Sequence, residues 1–398
     1  MKSNLPLKLA LSLIIIFVLL MTGLFLRVPL QVRWNVSKFH SDEAKERIKA
    51  TDKLLSLGRR GTAALAKELH GGEDAAEFLK KHWKNPLSKI PSDKRNRHPI
   101  HLAAENDFRT VVALLIDMGE NVNATDRGPE TPLHKAARKG HNKTAALLLR
   151  KGADINANYE YGLTPLHLAA TYGHKDTVQF LLEKGADITV RDERGVTPLH
   201  GASGKGHLEV ASLLIEKGLD VNARTKWGYT PLTYAAIKSR IKIAALLIEK
   251  GALLNYESNG SDLPLHAAVG LANETIINFL IDKGADVNAK GMMGMTPLHT
   301  AAVNCKKKAA GILLEHGAKI NAKTELGWTP LHIAACGFEH DDKTLIRFFI
   351  ENGSKVNALD EKGKTPLDYA IDEGVPQCAK ELREHGGKTG EELKAEKK

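Results

Sequence analysis

The chain has 398 residues, of which 42% are hydrophobic and 26% charged, with a formal net charge of +10. Its three cysteines, Cys305, Cys336 and Cys378, are an odd number without a CxxC pair, which excludes a disulfide-rich framework. The charge excess is confined to the N-terminal quarter: residues 27–97 hold 17 Lys plus Arg against 9 Asp plus Glu, whereas the 301 residues that follow hold 38 of each sign. A basic segment beside an apolar run fits anionic headgroups better than a nucleic-acid groove, and a solvated charged stem is the plain alternative.

Residues 1–30 contain an 18-residue stretch without a charge, Leu9 to Leu26. As a helix it is about 27 Å long, at the short end of what spans a bilayer. The expectation is an uncleaved, single-pass membrane anchor. A cleaved signal peptide is the competing reading, although no convincing small-x-small cleavage pair follows. A buried helix of a soluble protein fits poorly, because Ile14, Ile15, Ile16, Phe17 and Val18 leave no polar face. Positive charges flank the run almost equally, with Lys2 and Lys8 before it and Arg27, Arg33, Lys38 and Lys45 after it, so the side of the membrane that carries the rest stays undecided.

Residues 31–92 read as a charged helical stem. Ala44 to Leu57 is helix-like, and Ala63 to Leu69 followed by Ala75 to His82 resembles an eroded helix pair able to serve as an N-terminal cap. Asn85-Pro86 and Pro91 mark a break.

From residue 93 to residue 388 a 33-residue period takes over. His98, Thr131, Thr164, Thr197, Thr230, Leu263, Thr296 and Thr329 share one register, and Thr365 follows after a step of 36. The text TPLH recurs there, as at Thr131 to His134 and Thr296 to His299. In the third unit Thr164 can cap a helix with Pro165 at its first position. Leu166, Ala169 and Ala170 give that helix a small apolar face, and Gly173 suits the left-handed end. Val178, Leu181 and Leu182 form the apolar face of a second helix, closed by Gly185.

These motifs resemble the ankyrin repeat family, over about nine repeats in residues 93–388. The resemblance implies an all-α solenoid of stacked helix-turn-helix units with short loop fingers, each burying its apolar face on its neighbours. Residues 389–398 read as a polar tail. Several repeats depart from the pattern. Thr233 replaces the motif histidine in the fifth, Leu263 removes the capping hydroxyl in the sixth, and Pro129 stands at the turn glycine before the second. The eighth holds three extra residues near Cys336 to Asp342.

Seven of the 17 histidines, including His101, His134, His167 and His200, occupy one repeat position, and His141, His174 and His207 occupy a second. Repetition predicts packing, since a catalytic residue would appear once. Cys336, His340, Asp341 and Asp342 are suitable metal-ligand types, but their spacing matches no established site, and a solvated loop is the expectation. A metal-dependent enzyme using that insertion is the remote alternative. No nucleotide, hydrolase or zinc-protease motif occurs, and no cofactor is implied.

The functional surface is therefore expected on the variable fingers. Three residues before the motif Thr stand Tyr161, Arg194, Trp227, Met293 and Leu326; immediately before it stand Leu163, Tyr229, Met295 and Trp328. Large apolar and aromatic residues there resemble contact residues for a protein partner, through the concave finger and first-helix face that the family uses. The array is expected to be monomeric and to bind no nucleic acid.

Overall fold

A computed structural model describes residues 31–32, 35–82, 98–256, 263–337 and 343–396. These fall into two compact units, Met1–Ala169 with Gln179–Ala186 and Ala170–Val178 with Asp187–Lys398. Among the described residues the regular structure is helical, apart from one isolated bridge between Tyr159 and Leu163. No described helix is long and apolar enough to cross a membrane, and the run Leu9 to Leu26 lies outside the described residues.

In the first unit three helices, α1 (Ala44–Ser56), α2 (Gly58–Glu68) and α3 (Gly72–His82), precede repeat 1 (Pro99–Glu105 and Arg109–Asp117) and repeat 2 (Pro132–Lys139 and Asn142–Arg150). Leu54, Leu65, Leu69, Ala75 and Leu79 share one core with Ile100, Val111, Leu114 and Leu115. The helices before the array thus cover the apolar side of repeat 1, and a buried leucine such as Leu65 contributes about 1.5–3 kcal/mol. The close approach needs Gly71, whose φ is +106° and where a Cβ would lie 2.6 Å from the Phe108 ring. Polar ties fix the register. Arg47 donates to Asp117 Oδ2 from Nε at 2.9 Å and from Nη2 at 2.6 Å, and His70 Nδ1 meets the Asp107 carbonyl at 2.8 Å.

Repeat 3 (Pro165–Thr171 and Lys175–Glu183) has segments in each unit. The second unit continues with repeat 4 (Pro198–Lys205, Leu208–Glu216), repeat 5 (Pro231–Ile237, Ile241–Glu249) and repeat 6 (Pro264–Gly270, Glu274–Asp282). Repeats 7 (Pro297–Val303, Lys307–Glu315), 8 (Pro330–Ala335, Lys343–Glu351) and 9 (Pro366–Asp372, Pro376–Glu384) follow. Ala202, Ala235, Ala268 and Ala301 are fully buried, so first helices approach over small side chains, while Leu214, Leu247, Leu280, Leu313 and Phe349 fill the space along the second helices.

The first helices start at Pro, where the missing N–H removes no intrahelical bond, and most start under a Thr cap. They end in a left-handed residue. Glycine serves at Gly140, Gly173 and Gly206, but Asp107, Ser239, Ala272 and Cys305 adopt the same conformation at φ of 52° to 57°. Those side chains carry a backbone cost that the period imposes on them. In repeat 8 residues 338–342 of the insertion segment Cys336 to Asp342 lie outside the described residues.

The second unit ends in a helix, Gly390–Ala395, where the sequence suggested only a polar tail. Thr389 caps it reciprocally with Glu392. Thr365 Oγ1 donates to the Lys388 carbonyl at 2.8 Å, Gly390 N–H donates to Asp368 Oδ2 at 2.8 Å, and Arg383 forms a two-point ion pair with Glu392. The final segment is therefore bonded onto repeat 9.

Candidate partner-binding face

Each described finger is a tight turn closed by backbone bonds. Thr225 N–H donates to Tyr229 O and Thr324 N–H to Trp328 O, both at 2.9 Å, and Asp192 N–H to Val196 O at 2.9 Å. A side chain at the start of the turn holds its interior: Asp192 Oδ1 accepts from Arg194 N–H and Val196 N–H, both at 2.8 Å, and Thr225 and Thr324 accept from Tyr229 N–H and Trp328 N–H at 3.1 Å. Successive fingers are then bonded to each other. Lys226 N–H donates to Arg194 O at 2.8 Å, Glu325 N–H to Met293 O at 3.1 Å and Glu361 N–H to Leu326 O at 3.2 Å.

The two finger positions singled out in the sequence separate cleanly. At the outer one Tyr161, Trp227, Met293 and Leu326 project into solvent, Trp227 being 56% exposed, and Met292 beside them is also exposed. Tyr161 belongs to the first unit and the others to the second. Tyr161 and Met293 sit at φ of 63° and 56°. Arg194 is exposed too, but its guanidinium is engaged by Asp192, with Nε at 2.9 Å and Nη2 at 2.8 Å from Oδ2.

The inner position does not project as expected. Leu163, Tyr229, Met295 and Trp328 are each half-buried, because the carbonyl of each accepts a bond from the motif histidine of the preceding repeat and draws the residue into the stack. Trp328 is the clearest case. Its indole Nε1–H donates to Tyr369 Oη at 3.1 Å, its ring meets Tyr369 edge-on at 4.8 Å, and Tyr369 in turn donates to Asp360 Oδ2 at 2.7 Å.

The histidines are the bolts behind this face. In His200, Nδ1 accepts the Thr197 N–H at 3.2 Å, so the ring carries its proton on Nε2, which donates to Tyr229 O at 3.1 Å. His299 does the same between Thr296 and Trp328. Burial lowers His101, His134, His200 and His299 to about 4, keeping each ring neutral. The second histidine position also crosses repeats, with His141 donating to Glu105 O and His207 to Thr171 O at 3.0 Å. Thr233, lacking the imidazole, still completes a capping pair with Thr230. Leu263, as its side chain requires, makes no cap bond.

A structural position missed in the sequence is an asparagine one. Asn222 donates to Gly251 O at 3.0 Å and accepts from Leu253 N–H at 2.8 Å, and Asn255, Asn288, Asn321 and Asn357 repeat the double bond to the next repeat. The signal was available: these residues recur at the same 33-residue spacing, with one step of 36.

Cys336 is buried, its Sγ–H donates to the His332 carbonyl at 3.4 Å, and burial pushes the thiol up to about 12. It is a packed thiol, not a thiolate, at neutral pH. His340, Asp341 and Asp342 lie outside the described residues. Among the described residues no group of three His, Cys, Asp or Glu side chains could hold a metal ion.

The family model described as ankyrin repeats (3 copies) matches residues 100–192, 189–258, 252–324 and 321–392. The crystal structure of the human ASB11 ankyrin repeat domain is similar to this chain at 31% identity and a TM-score of 0.50, with 56% of this chain and 99% of that one covered. No curated protein matches.

Proposed function

The chain belongs to the ankyrin repeat family, and from that premise we propose that it is a non-enzymatic scaffold that binds a protein partner through its finger tips and is tethered to a membrane by Leu9 to Leu26. The observation that carries the binding reading is the outer finger position. Apolar side chains there project from backbone already bonded to the neighbouring finger, so contact area is offered with little ordering cost. The partner is captured with the full-length chain from membranes and identified by mass spectrometry. Trp227→Ala and Leu326→Ala should each weaken its binding by about 2 kcal/mol while leaving the unfolding midpoint nearly unchanged. A shifted midpoint with intact affinity would place these side chains in the stack instead.

The tether rests on the uncharged run. Replacing Ile15 and Val18 with Arg costs about 2.5–3.5 kcal/mol each at the centre of a span and should release the chain from membranes washed with carbonate. N-terminal sequencing of the membrane-bound form separates an anchor from a cleaved signal.

A further inference from the structure

We propose that the cleft between the helical residues 35–39 and α1 binds the phosphate of an anionic phospholipid headgroup. The cavity measures about 470 Å³ and is lined by Gln31, Asn35, Lys38, Glu46, Lys49 and Lys53 together with Ala50, so that a few polar groups stand on a largely aliphatic wall.

Its charges do not cancel internally. Lys38 Nζ is bonded to both oxygens of Glu46 at 3.0 and 3.1 Å, and Ser41 Oγ donates to the same carboxylate at 2.8 Å. Those bonds hold the Glu46 carboxyl below its ordinary range, so it is an ion with its own counter-ion. Lys49 and Lys53 are left. Both are exposed and neither ammonium makes a hydrogen bond or close ion pair among the described residues, although Lys49 also lies in the field of the Glu46 carboxylate. They stand one helical turn apart on α1, with Lys45 a further turn back, an arrangement of like charges that repel. A phosphate between Lys49 and Lys53 relieves that repulsion, and Asn35, whose Nδ2 donates to Gln31 O at 2.6 Å, also lines the cavity.

The source of the phosphate follows from the chain. Gln31 lies five residues beyond Leu26, and five residues reach at most about 18 Å whatever their conformation. With Leu9 to Leu26 in the bilayer, the cleft cannot leave the neighbourhood of the headgroup layer. This step rests on the membrane-anchor reading, whereas the chemistry of the cleft does not.

The test uses the full chain in a non-ionic detergent, titrated separately with short-chain phosphatidylglycerol, short-chain phosphatidylcholine and inorganic phosphate, with amide exchange across Ala44–Ser56 as the readout. Phosphatidylglycerol should protect α1 at concentrations at least about tenfold lower than phosphatidylcholine, and K49Q/K53Q should lose at least about tenfold in that affinity. K45Q, outside the cavity lining, should stay within about twofold. Equal protection by phosphatidylcholine, or protection indifferent to K49Q/K53Q in a variant with unchanged helicity, would overturn the site. Equal protection by inorganic phosphate would overturn its assignment to lipid. Carbonate extraction of wild-type membranes reads the anchor separately: release there sinks the tether, while the titration in detergent still decides the cleft.

Discussion

At the scale of single residues, the histidines and asparagines that recur along the array do structural work, while the variable side chains of the outer finger position face outward. The motif histidines are neutral because burial holds four of them near 4, against an unperturbed value of about 6.5. As pH falls below about 6.5 the unfolded chain takes up protons that the folded chain refuses, so stability present at neutral pH is lost down to about pH 4 and then levels off. Each of the four can contribute up to about 3 kcal/mol to that loss. Glu120 acts in the opposite sense, since burial raises it to about 7 and stability falls as pH rises from about 4.5 to 7. One carboxyl against four imidazoles leaves acid destabilisation dominant. Urea midpoints between pH 7.5 and 4.5 should show it, and His200→Gln should flatten the slope; an unchanged slope would mean that His200 is not held neutral by the fold.

The aromatic fingers also divide at this scale. Trp328→Ala removes a half-buried indole bond and the ring contact with Tyr369, and should destabilise by about 2–4 kcal/mol. Trp227→Ala should shift stability by no more than about 0.5 kcal/mol, as an exposed side chain does. Thermal melts of the two variants decide this, and equal shifts would contradict the division. Sequence could not separate them. Both are tryptophans in the same kind of finger, and only the two-residue offset decides which carbonyl the preceding histidine pulls inward.

At the scale of the elements, the first helices end in a left-handed residue whether or not glycine is present. Ala272, at φ 55°, carries the strain of a Cβ in that region without a compensating role for its methyl. Ala272→Gly should therefore raise stability by about 0.5–1 kcal/mol, against the usual sign for glycine, and a lowered melting point would show that the strain is already absorbed. The asparagine bridges give the complementary case. Asn288→Ala removes two bonds to the next repeat, from Nδ2 to Gly317 O and from Lys319 N–H to Oδ1, and should cost about 1–2 kcal/mol with faster amide exchange at Lys319. The helices, their proline starts and the histidine function were legible because they recur at one spacing. The stacking of α1 to α3 on repeat 1 was not, since their apolar positions are sparse and the ties that fix them, Arg47 to Asp117 and His70 to Asp107, join residues with no common pattern.

At the scale of the whole molecule, the outer faces of repeat 1 and repeat 9 are covered by unlike means. The first repeat receives α1 to α3 and a shared leucine core, whereas the ninth receives a short polar helix through Asp368, which stands at the motif-histidine position, accepts the Thr365 N–H as imidazole Nδ1 would, and also accepts the Gly390 N–H where imidazole Nε2 would donate. Deleting residues 389–398 should fray repeat 9 first. Exchange of the Pro366–Asp372 amides should accelerate before that of repeat 7, and uniform behaviour along the second unit would show that the terminal helix is dispensable. The sequence registered this end as polar, but a six-residue helix has too few apolar positions to announce itself.

The bonding of finger to finger has one further consequence. Because Arg194, Met293 and Leu326 are fastened through their carbonyl oxygens, the side chains there carry almost no responsibility for the shape that presents them. Such positions behave like interchangeable type in a fixed forme. Randomising the outer finger residues of the second unit in a display library should yield folded variants at high frequency, with new specificities arising from a lattice that never has to be redesigned.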